Sequence, residues 1–294
     1  MDIWVLILPL VRVSLYIGMM LVNGSILYGL LLGNQMTAGS QAHLSGLVRT
    51  GALIGLAAVA VQLPVSAGYL GGDVASAFDP LYLRLMLETT LGWSSLLAAA
   101  GFIIAVWRPG LDKTYHRPAG GLICLLIASA FAVHGHAATG GLVTSLLLIV
   151  HLACVAVWLG AFLPLLRLCR LAADNPAALR ELAQTGRQFA QVGSIAVALL
   201  LASGGALAAL LTGSVTAMVT TGYGLALSGK VLLVSGVLGL AALNRFLLVP
   251  AVDRGEREAA ARLGLSVRLE MLAALAIMLV TSLLTTSLAL PMSP

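Results

Sequence analysis

Eight long apolar stretches, separated by short polar segments, divide this chain of 294 residues. Each is close to the ~20 residues that an α-helix needs to cross a bilayer. The stretches are continuous rather than alternating between apolar and polar positions, which excludes a transmembrane β-barrel. The predicted spans are residues 4–32, 44–63, 82–107, 118–136, 142–168, 188–211, 224–248 and 268–290. The pattern therefore predicts an all-α membrane protein, a bundle of eight transmembrane helices.

Composition favours a single membrane domain. Hydrophobic residues make up 60% of the sequence and charged residues 9%, with a mean hydropathy of +1.04. No polar stretch is long enough for a separate soluble domain, so residues 1–294 are predicted to form one polytopic domain. The three cysteines (Cys124, Cys154 and Cys169) lie in apolar runs without a C-x-x-C motif, which argues against a disulfide scaffold.

The basic residues predict the orientation of the bundle, because Lys and Arg concentrate in cytoplasmic loops. Thirteen of the sixteen follow predicted helices one, three, five and seven: Arg49, Arg108, Lys113, Arg117, Arg167, Arg170, Arg180, Arg187, Arg245, Arg254, Arg257, Arg262 and Arg268. Both termini are therefore predicted to be periplasmic. The net charge of +5 reports this topology, and no nucleic-acid partner is expected. Residues 174–187 predict a short amphipathic cytoplasmic helix that Asp174 or Asn175 starts, with Pro176 in its first turn.

Histidines in or beside the apolar runs are the strongest chemical signal. His151 lies roughly 13 Å inside predicted helix five, near the midplane. An ionisable residue at this depth usually faces a protein interior or a polar cavity. Imidazole is also a common ligand for transition metals. Cys154 and Trp158 follow on the same helical face and could support a copper site. The alternative is a core histidine bonded to a carbonyl or hydroxyl group.

His134 and His136 form the second candidate, in the run V-H-G-H-A on the predicted periplasmic side. On a helix their side chains point about 200° apart, whereas in an extended segment they point the same way. Gly135 permits either conformation. His136 is the favoured metal ligand and His134 its helper. The alternative is a pair of solvated interfacial histidines.

Other polar residues could line a cavity. Arg12 lies at a depth similar to that of His151 and could balance a carboxylate or close a cavity, and helices one and five are expected to share that cavity. Glu88 and Met86, near the outer end of predicted helix three, could form a polar mouth with Asp73 and Asp79. Lys230 could pair with Glu88 or line the same cavity. Each of these residues could equally have a structural or solvated role.

Several of these runs together resemble the CopD family of bacterial inner-membrane copper proteins. The resemblance is strongest over residues 134–250. The matching segments are G-H-A at 135–137, H-L-A-C-V-A-V-W-L-G-A-F-L-P-L at 151–165, A-S-G-G-A-L-A-A-L-L-T-G at 202–213, T-T-G-Y-G-L-A-L-S-G-K at 220–230, N-R-F-L-L-V-P at 244–250, Arg12 to Gly24, and Tyr28-Gly29.

The resemblance implies an eight-span protein of the bacterial inner membrane that is tied to copper tolerance or copper uptake. It also implies a periplasmic copper-binding partner that is similar to CopC. One position departs from the family, whose members often carry a His three residues after the arginine of helix one. This chain has Leu15 there, so an intramembrane copper site could lack a ligand.

The leading hypothesis is therefore copper transport or copper handling, not enzymatic catalysis. Copper, as Cu(I) or Cu(II), would arrive from the periplasm, meet His134, His136 and Glu88, and pass inward to His151. One alternative is a b-type haem or other membrane redox protein. Bis-histidine haem ligation is disfavoured because His136 and His151 differ in depth by roughly 13 Å. The other alternative is a membrane assembly partner that transports nothing.

Overall fold

The structure is a computed structural model that describes residues 3–33, 36–108, 116–212 and 215–287. The side chains at positions 136, 137, 212, 215, 217 and 218 are outside this description. All regular secondary structure in the described residues is helical, which confirms the predicted all-α class.

Thirteen α-helices follow one another along the described chain. They are α1 (Ile3–Leu32), α2 (Ala38–Gly71), α3 (Pro80–Glu88), α4 (Thr90–Trp107), α5 (His116–Ala132), α6 (His136–Thr139), α7 (Gly141–Gly160), α8 (Phe162–Leu171), α9 (Pro176–Thr212), α10 (Val215–Thr220), α11 (Gly222–Leu243), α12 (Val249–Asp253) and α13 (Arg257–Thr286). A short 3₁₀ turn (Ser76–Phe78) precedes α3, and a π-helical segment (Asn244–Leu248) joins α11 to α12.

Seven helical stretches of the described chain are long and apolar enough to cross a membrane. These begin with α1, α2, α4, α7, α9, α11 and α13, while α5 is apolar but shorter, with 17 residues. When α5 is counted with them, successive apolar helices run in opposite directions; for example, Thr90 at the start of α4 contacts His134 just after the end of α5. We call the end of the bundle where α1 begins the proximal end, and the end where α1 finishes the distal end. The last helix, α13, finishes at the proximal end.

Two predicted spans are interrupted by single residues. The predicted span 82–107 is divided at Thr89, whose hydroxyl accepts a hydrogen bond from the Leu91 amide and so starts α4. Of the two pieces only α4 has the length of a span, and Glu88 ends the short helix α3, where its side chain is exposed. The predicted span 142–168 is divided after Gly160. Pro164 has no amide hydrogen to donate to the Gly160 carbonyl, so α7 ends and α8 begins.

Helices α2, α9 and α13 extend beyond the spans predicted for them. Asn175 caps α9 by accepting hydrogen bonds from the amides of Ala177 and Ala178, which confirms the predicted start. The separate short helix over 174–187 is wrong, because α9 continues without a break into the predicted sixth span. Helix α13 begins at Arg257 rather than near 268, which moves Glu270 from the predicted first turn into the fourth turn.

Helix α1 is the centre of the bundle and packs against α2, α5, α7, α9 and α13. Glycines permit its closest crossing. A Cβ atom built on Gly24 would lie 2.6 Å from the Gly160 Cα of α7. Small residues at helix interfaces allow such close approach of two backbones.

Two large apolar cores fill most of the bundle, and a smaller cluster of Trp4, Val65 and Ala77 lies near the proximal end. The first joins α1, α2, α4, α5 and α7 around Met19 and Phe102. The second lies nearer the distal end and joins α7, α8, α9, α12 and α13 around Trp158 and Leu182. Beside the second core, Ser40 of α2 donates to Glu181 of α9 (2.6 Å) and accepts from Arg167 of α8 (3.2 Å). These bonds fix three helices at the distal end.

Candidate functional site

The turn that carries two of the predicted histidines lies at the proximal end. Helix α5 ends at Ala132, and Gly135 has a φ of +89°, a left-handed conformation that glycine adopts without strain. The Nδ1 atom of His134 lies 2.9 Å from the Thr90 hydroxyl oxygen at the start of α4. One turn further into the bundle, Ser94 donates to the Ala130 carbonyl (2.6 Å). The contact with Thr90 therefore holds the imidazole of His134, which follows α5, against the start of α4.

His136 begins α6, directly after this turn. Its side chain lies outside the described residues, so its predicted role as a copper ligand stays a prediction. The turn is also close to Arg12, whose guanidinium lies 4.0 Å from the position that a Cβ atom would take on Gly135. The structure therefore brings Arg12 next to the H-G-H turn, a contact that the sequence did not predict.

Arg12 is a buried cation. Only 9% of its surface is exposed, and its guanidinium carbon lies 5.1 Å from the ring centroid of Phe131 and 5.7 Å from that of Tyr16. These two rings stack on each other at 5.3 Å. The buried Nε atom of Arg12 has no hydrogen-bond partner in the described part of the protein. Cation–π contacts therefore satisfy the flat faces of the guanidinium but leave this N–H group unbonded.

A small polar cavity lies beside Arg12, between α1, α2, α4 and α5. It offers about 10 Å³ to the centre of a water molecule, close to the minimum that one water needs. Its polar lining comes from Arg12, Gln62, Ser94 and Ser95. The buried Ser95 hydroxyl has no hydrogen-bond partner among the described residues. Sequence reasoning missed Gln62 and Ser95, whose only signal was their polarity inside apolar runs.

His151 is not among the residues that line this cavity, and the expectation that helices one and five share a cavity with Arg12 and His151 stays a prediction. Its ring faces α9, with Nδ1 3.3 Å from the Ser203 hydroxyl oxygen. That hydroxyl lies 2.6 Å from the Leu199 carbonyl, which can only accept, so the serine hydrogen points there. Nδ1 must then carry a hydrogen and donate to Ser203. The Nε2 atom of this tautomer keeps a free lone pair, as a metal ligand requires.

The residues predicted to support His151 have other partners. Cys154 is buried in the distal core. Trp158 is buried there too, and its indole N–H donates to Glu270 of α13. Lys230 of α11 is partly buried and close enough for its charge to act on His151. Across the described residues, no three His, Cys, Asp or Glu side chains come together to hold a metal ion.

The predicted polar mouth does not include Lys230. Glu88 instead pairs with Arg84 of its own helix at 2.8 Å, and both side chains are more than half exposed, so the predicted pairing of Glu88 with Lys230 is wrong. Met86 is partly buried on the same helix. Asp79 caps α3 at the Leu81 amide (2.8 Å). Asp73 accepts from the Ser76 amide, and this hydrogen bond holds the pKa of Asp73 below its usual value.

A buried carboxyl group that sequence reasoning missed joins α7, α11 and α13. Glu270 is 2% exposed and accepts hydrogen bonds from the Trp158 indole and the Asn244 amide. Asn244 begins the π-helical segment, and such segments are frequent at functional sites. Sequence reasoning missed Glu270 because the predicted span began only two residues before it. An acidic residue at a membrane boundary is normally solvated and gives no sign of burial.

Two family models match this chain. The model for the N-terminal domain of copper resistance protein D-like proteins matches residues 1–145, and the model for copper resistance protein D matches residues 183–284. The chain belongs to the copper resistance protein D (CopD) family. The resemblance that the sequence motifs indicated is thereby confirmed.

Two curated relatives extend over most of this CopD-family protein. Inner membrane protein YebZ of Escherichia coli (strain K12) is 29% identical over 242 residues, which are 79% of this chain and 80% of that protein. Copper resistance protein D of Pseudomonas syringae pv. tomato is 27% identical over 268 residues, 86% of each chain. No solved structure matches the chain. Together with the apolar helices, these relatives confirm the predicted multi-pass location in the bacterial inner membrane.

Proposed function

We propose that this CopD-family protein takes up copper from the periplasm and passes it inward across the inner membrane. The observation that carries the proposal is the H-G-H turn at the proximal end, where Thr90 holds the imidazole of His134 and His136 follows two residues later. Neutral imidazoles bind copper in either oxidation state. The two histidines receive the ion, in Cu(I) or Cu(II) form, and a CopC-like periplasmic protein delivers it.

The orientation belongs to the same proposal. Helix α5 crosses the membrane in addition to the seven longer helices, which makes eight spans. An even number of spans puts the start and the end of the chain on the same side, at the proximal end. That end is periplasmic. The support is the distribution of basic residues: Arg167, Arg170, Arg180, Arg187 and Arg254 all lie at the distal end of the bundle. Basic residues concentrate on the cytoplasmic side of membrane proteins. A reporter fused after Pro294 is expected to report a periplasmic location.

His151 is the inner copper-binding position on the proposed route. Its Nε2 atom is free to bind a metal, and Ser203 fixes the ring from the other side, as the outer partners of metal-bound histidines usually do. Because no three His, Cys, Asp or Glu side chains gather here among the described residues, this site would bind copper weakly and transiently. Weak binding suits a transported ion, which must leave the site as readily as it arrives. Cys154, one helical turn away, is the nearest soft group along α7.

The test is copper binding and copper flux measured on the same purified variants. We expect His134→Ala/His136→Ala to lower copper stoichiometry, measured by elemental analysis after desalting. His151→Ala is expected to keep that stoichiometry but to reduce flux into proteoliposomes that contain a copper-sensitive dye. His116→Ala, at the distal start of α5, is the matched control and should change neither quantity. Unchanged flux in a well-folded His151→Ala protein would exclude the inner copper-binding position. Wild-type protein without copper flux would exclude transport altogether.

A further inference from the structure

The cavity beside Arg12 lacks a negative charge. Among the described residues, the four ion pairs within 4 Å leave out Arg12, and none of the residues that line the cavity is acidic. The remaining lining is apolar, from Leu15, Val59, Ala98, Ala130 and Phe131. A cation with so little exposed surface therefore lies in an apolar part of the bundle without a counter-ion.

Such an arrangement costs free energy unless something compensates the charge. Burial of an uncompensated cation is unfavourable even after the protein relaxes. The two aromatic rings compensate only part of this cost. They cannot satisfy the N–H groups at the edge of the guanidinium, of which the buried Nε–H is one. A partner in the plane of the guanidinium is needed.

We propose that this cavity binds one small inorganic anion, chloride in the cell, as the counter-ion of Arg12. Three groups favour an anion over a cation or an apolar ligand. Arg12 offers its unbonded Nε–H, Ser95 offers a buried hydroxyl without a partner, and Gln62 lines the same space with an amide. Arginine and hydroxyl groups can both donate to an anion, and arginine cannot accept.

The size of the cavity selects among anions. Its volume of about 10 Å³ is close to what one water needs, so a halide ion, which is slightly larger, fits only after small shifts of the lining side chains. Sulfate, phosphate and gluconate are too large. Ser94 is not an anion ligand, because its hydroxyl donates to the Ala130 carbonyl at 2.6 Å. The site is thus a one-ion pocket in which Arg12 supplies the charge and Ser95 the second donor.

Thermal unfolding of the purified protein tests this proposal without copper, so its failure would leave the proposed transport function untouched. Chloride is titrated against gluconate at constant ionic strength, and unfolding is followed by the loss of monodisperse protein. We expect chloride to raise the melting temperature of the wild type with a saturable dependence, because a ligand that binds only the folded state stabilises it. Bromide should act in the same way, and gluconate and sulfate should not.

Three variants assign the effect to this cavity. Ser95→Ala should shift the chloride midpoint to several-fold higher concentration, and Ser95→Val should abolish saturation by filling the space. Arg12→Gln should remove the chloride dependence, whereas Arg49→Gln, which removes an exposed charge from α2, should keep it. A wild-type melting temperature that is equal in chloride and gluconate would overturn the proposal and leave water as the occupant. A chloride effect that survives both Ser95 variants would also overturn it, and this result does not depend on whether Arg12→Gln folds.

Discussion

The crossing of α1 and α7 allows a stability prediction whose size follows from the structure. The change is Gly24→Ala in α1 or Gly160→Ala in α7. A methyl group on Gly24 would lie 2.6 Å from the Gly160 Cα and 2.9 Å from the Ala156 carbonyl oxygen. A methyl group on Gly160 would meet the backbone of Gly24 even more closely. Neither obstacle is a side chain that can rotate away, so the two helices themselves must move apart.

The required movement sets the magnitude. Carbon atoms pack best at separations of about 3.5–4.0 Å, so α1 and α7 must separate by roughly 1 Å at this point. Added atoms that force backbone shifts in a packed interior cost about 1–3 kcal/mol. Alanine also has a better helix propensity than glycine by up to about 1 kcal/mol, which opposes the loss. The same substitution at a helical glycine without close neighbours gives the propensity effect alone. Comparison with that control therefore isolates the cost of moving the two helices apart.

Gly205 of α9 is that control, because a methyl group built there meets no atom within 4 Å. We expect Gly24→Ala and Gly160→Ala each to melt roughly 2–12 °C below Gly205→Ala in detergent, taking about 2–4 °C for each kcal/mol. The measurement is the fraction of monodisperse protein that remains after heating. The double variant should lose less than the sum of the two, because the second methyl group enters a gap that the first has already opened.

Equal melting temperatures for the two crossing variants and for Gly205→Ala would refute this reasoning. That result would mean that α1 and α7 do not approach each other at Gly24 and Gly160. A double variant whose loss in melting temperature equals the sum of the two single losses would also refute it. Such additivity would mean that Gly24 and Gly160 act independently and do not share one crossing.

Two further predictions concern the groups that α9 and α13 contribute. Gly204→Ala places a methyl group 3.1 Å from His151 Cε1, so it should turn the imidazole and lower copper flux. Gly205→Ala, at the next position, should leave the flux unchanged. Equal flux in the two variants would show that the orientation of the His151 ring does not matter for transport. Glu270→Ala leaves the buried Trp158 N–H without an acceptor and should lower the free energy of unfolding by about 1–3 kcal/mol. Glu270→Gln, which keeps an acceptor oxygen, should cost less, and the reverse order in thermal unfolding would contradict the hydrogen bond.

The positions of the helices could be predicted because length and hydropathy are local properties of the sequence. The breaks within the predicted spans 82–107 and 142–168 were harder to predict, because each depends on a single residue. Thr89 ends a predicted span because its hydroxyl caps α4, and Pro164 ends another because it lacks an amide hydrogen. Both residue types also occur within continuous helices: α1 contains Pro9, and α2 contains Thr50 and Pro64. Residue type alone therefore does not decide between a break and a tolerated kink.

The partners of the candidate site residues were harder still, because they come from distant parts of the sequence. His134 bonds to Thr90, 44 positions away, and His151 bonds to Ser203, 52 positions away. The periodicity of a helix shows which of its faces is buried, but it carries no information about the opposing helix. Arg12 is the clearest case. Its depth matched that of His151, yet the two residues face different neighbours, α5 for Arg12 and α9 for His151.

Helix α7 shows why one helical face can serve two purposes. His151, Cys154 and Trp158 lie on one face by their spacing, and the sequence alone therefore groups them as one site. Seven residues separate His151 from Trp158, about 10 Å along the axis. The opposing element changes over that distance, from Ser203 of α9 to Glu270 of α13. His151 is thereby separated from the carboxyl group that Trp158 contacts. The proposed copper route through His151 and the contact between Trp158 and Glu270 are therefore separable by mutation, although both residues lie on one face of α7.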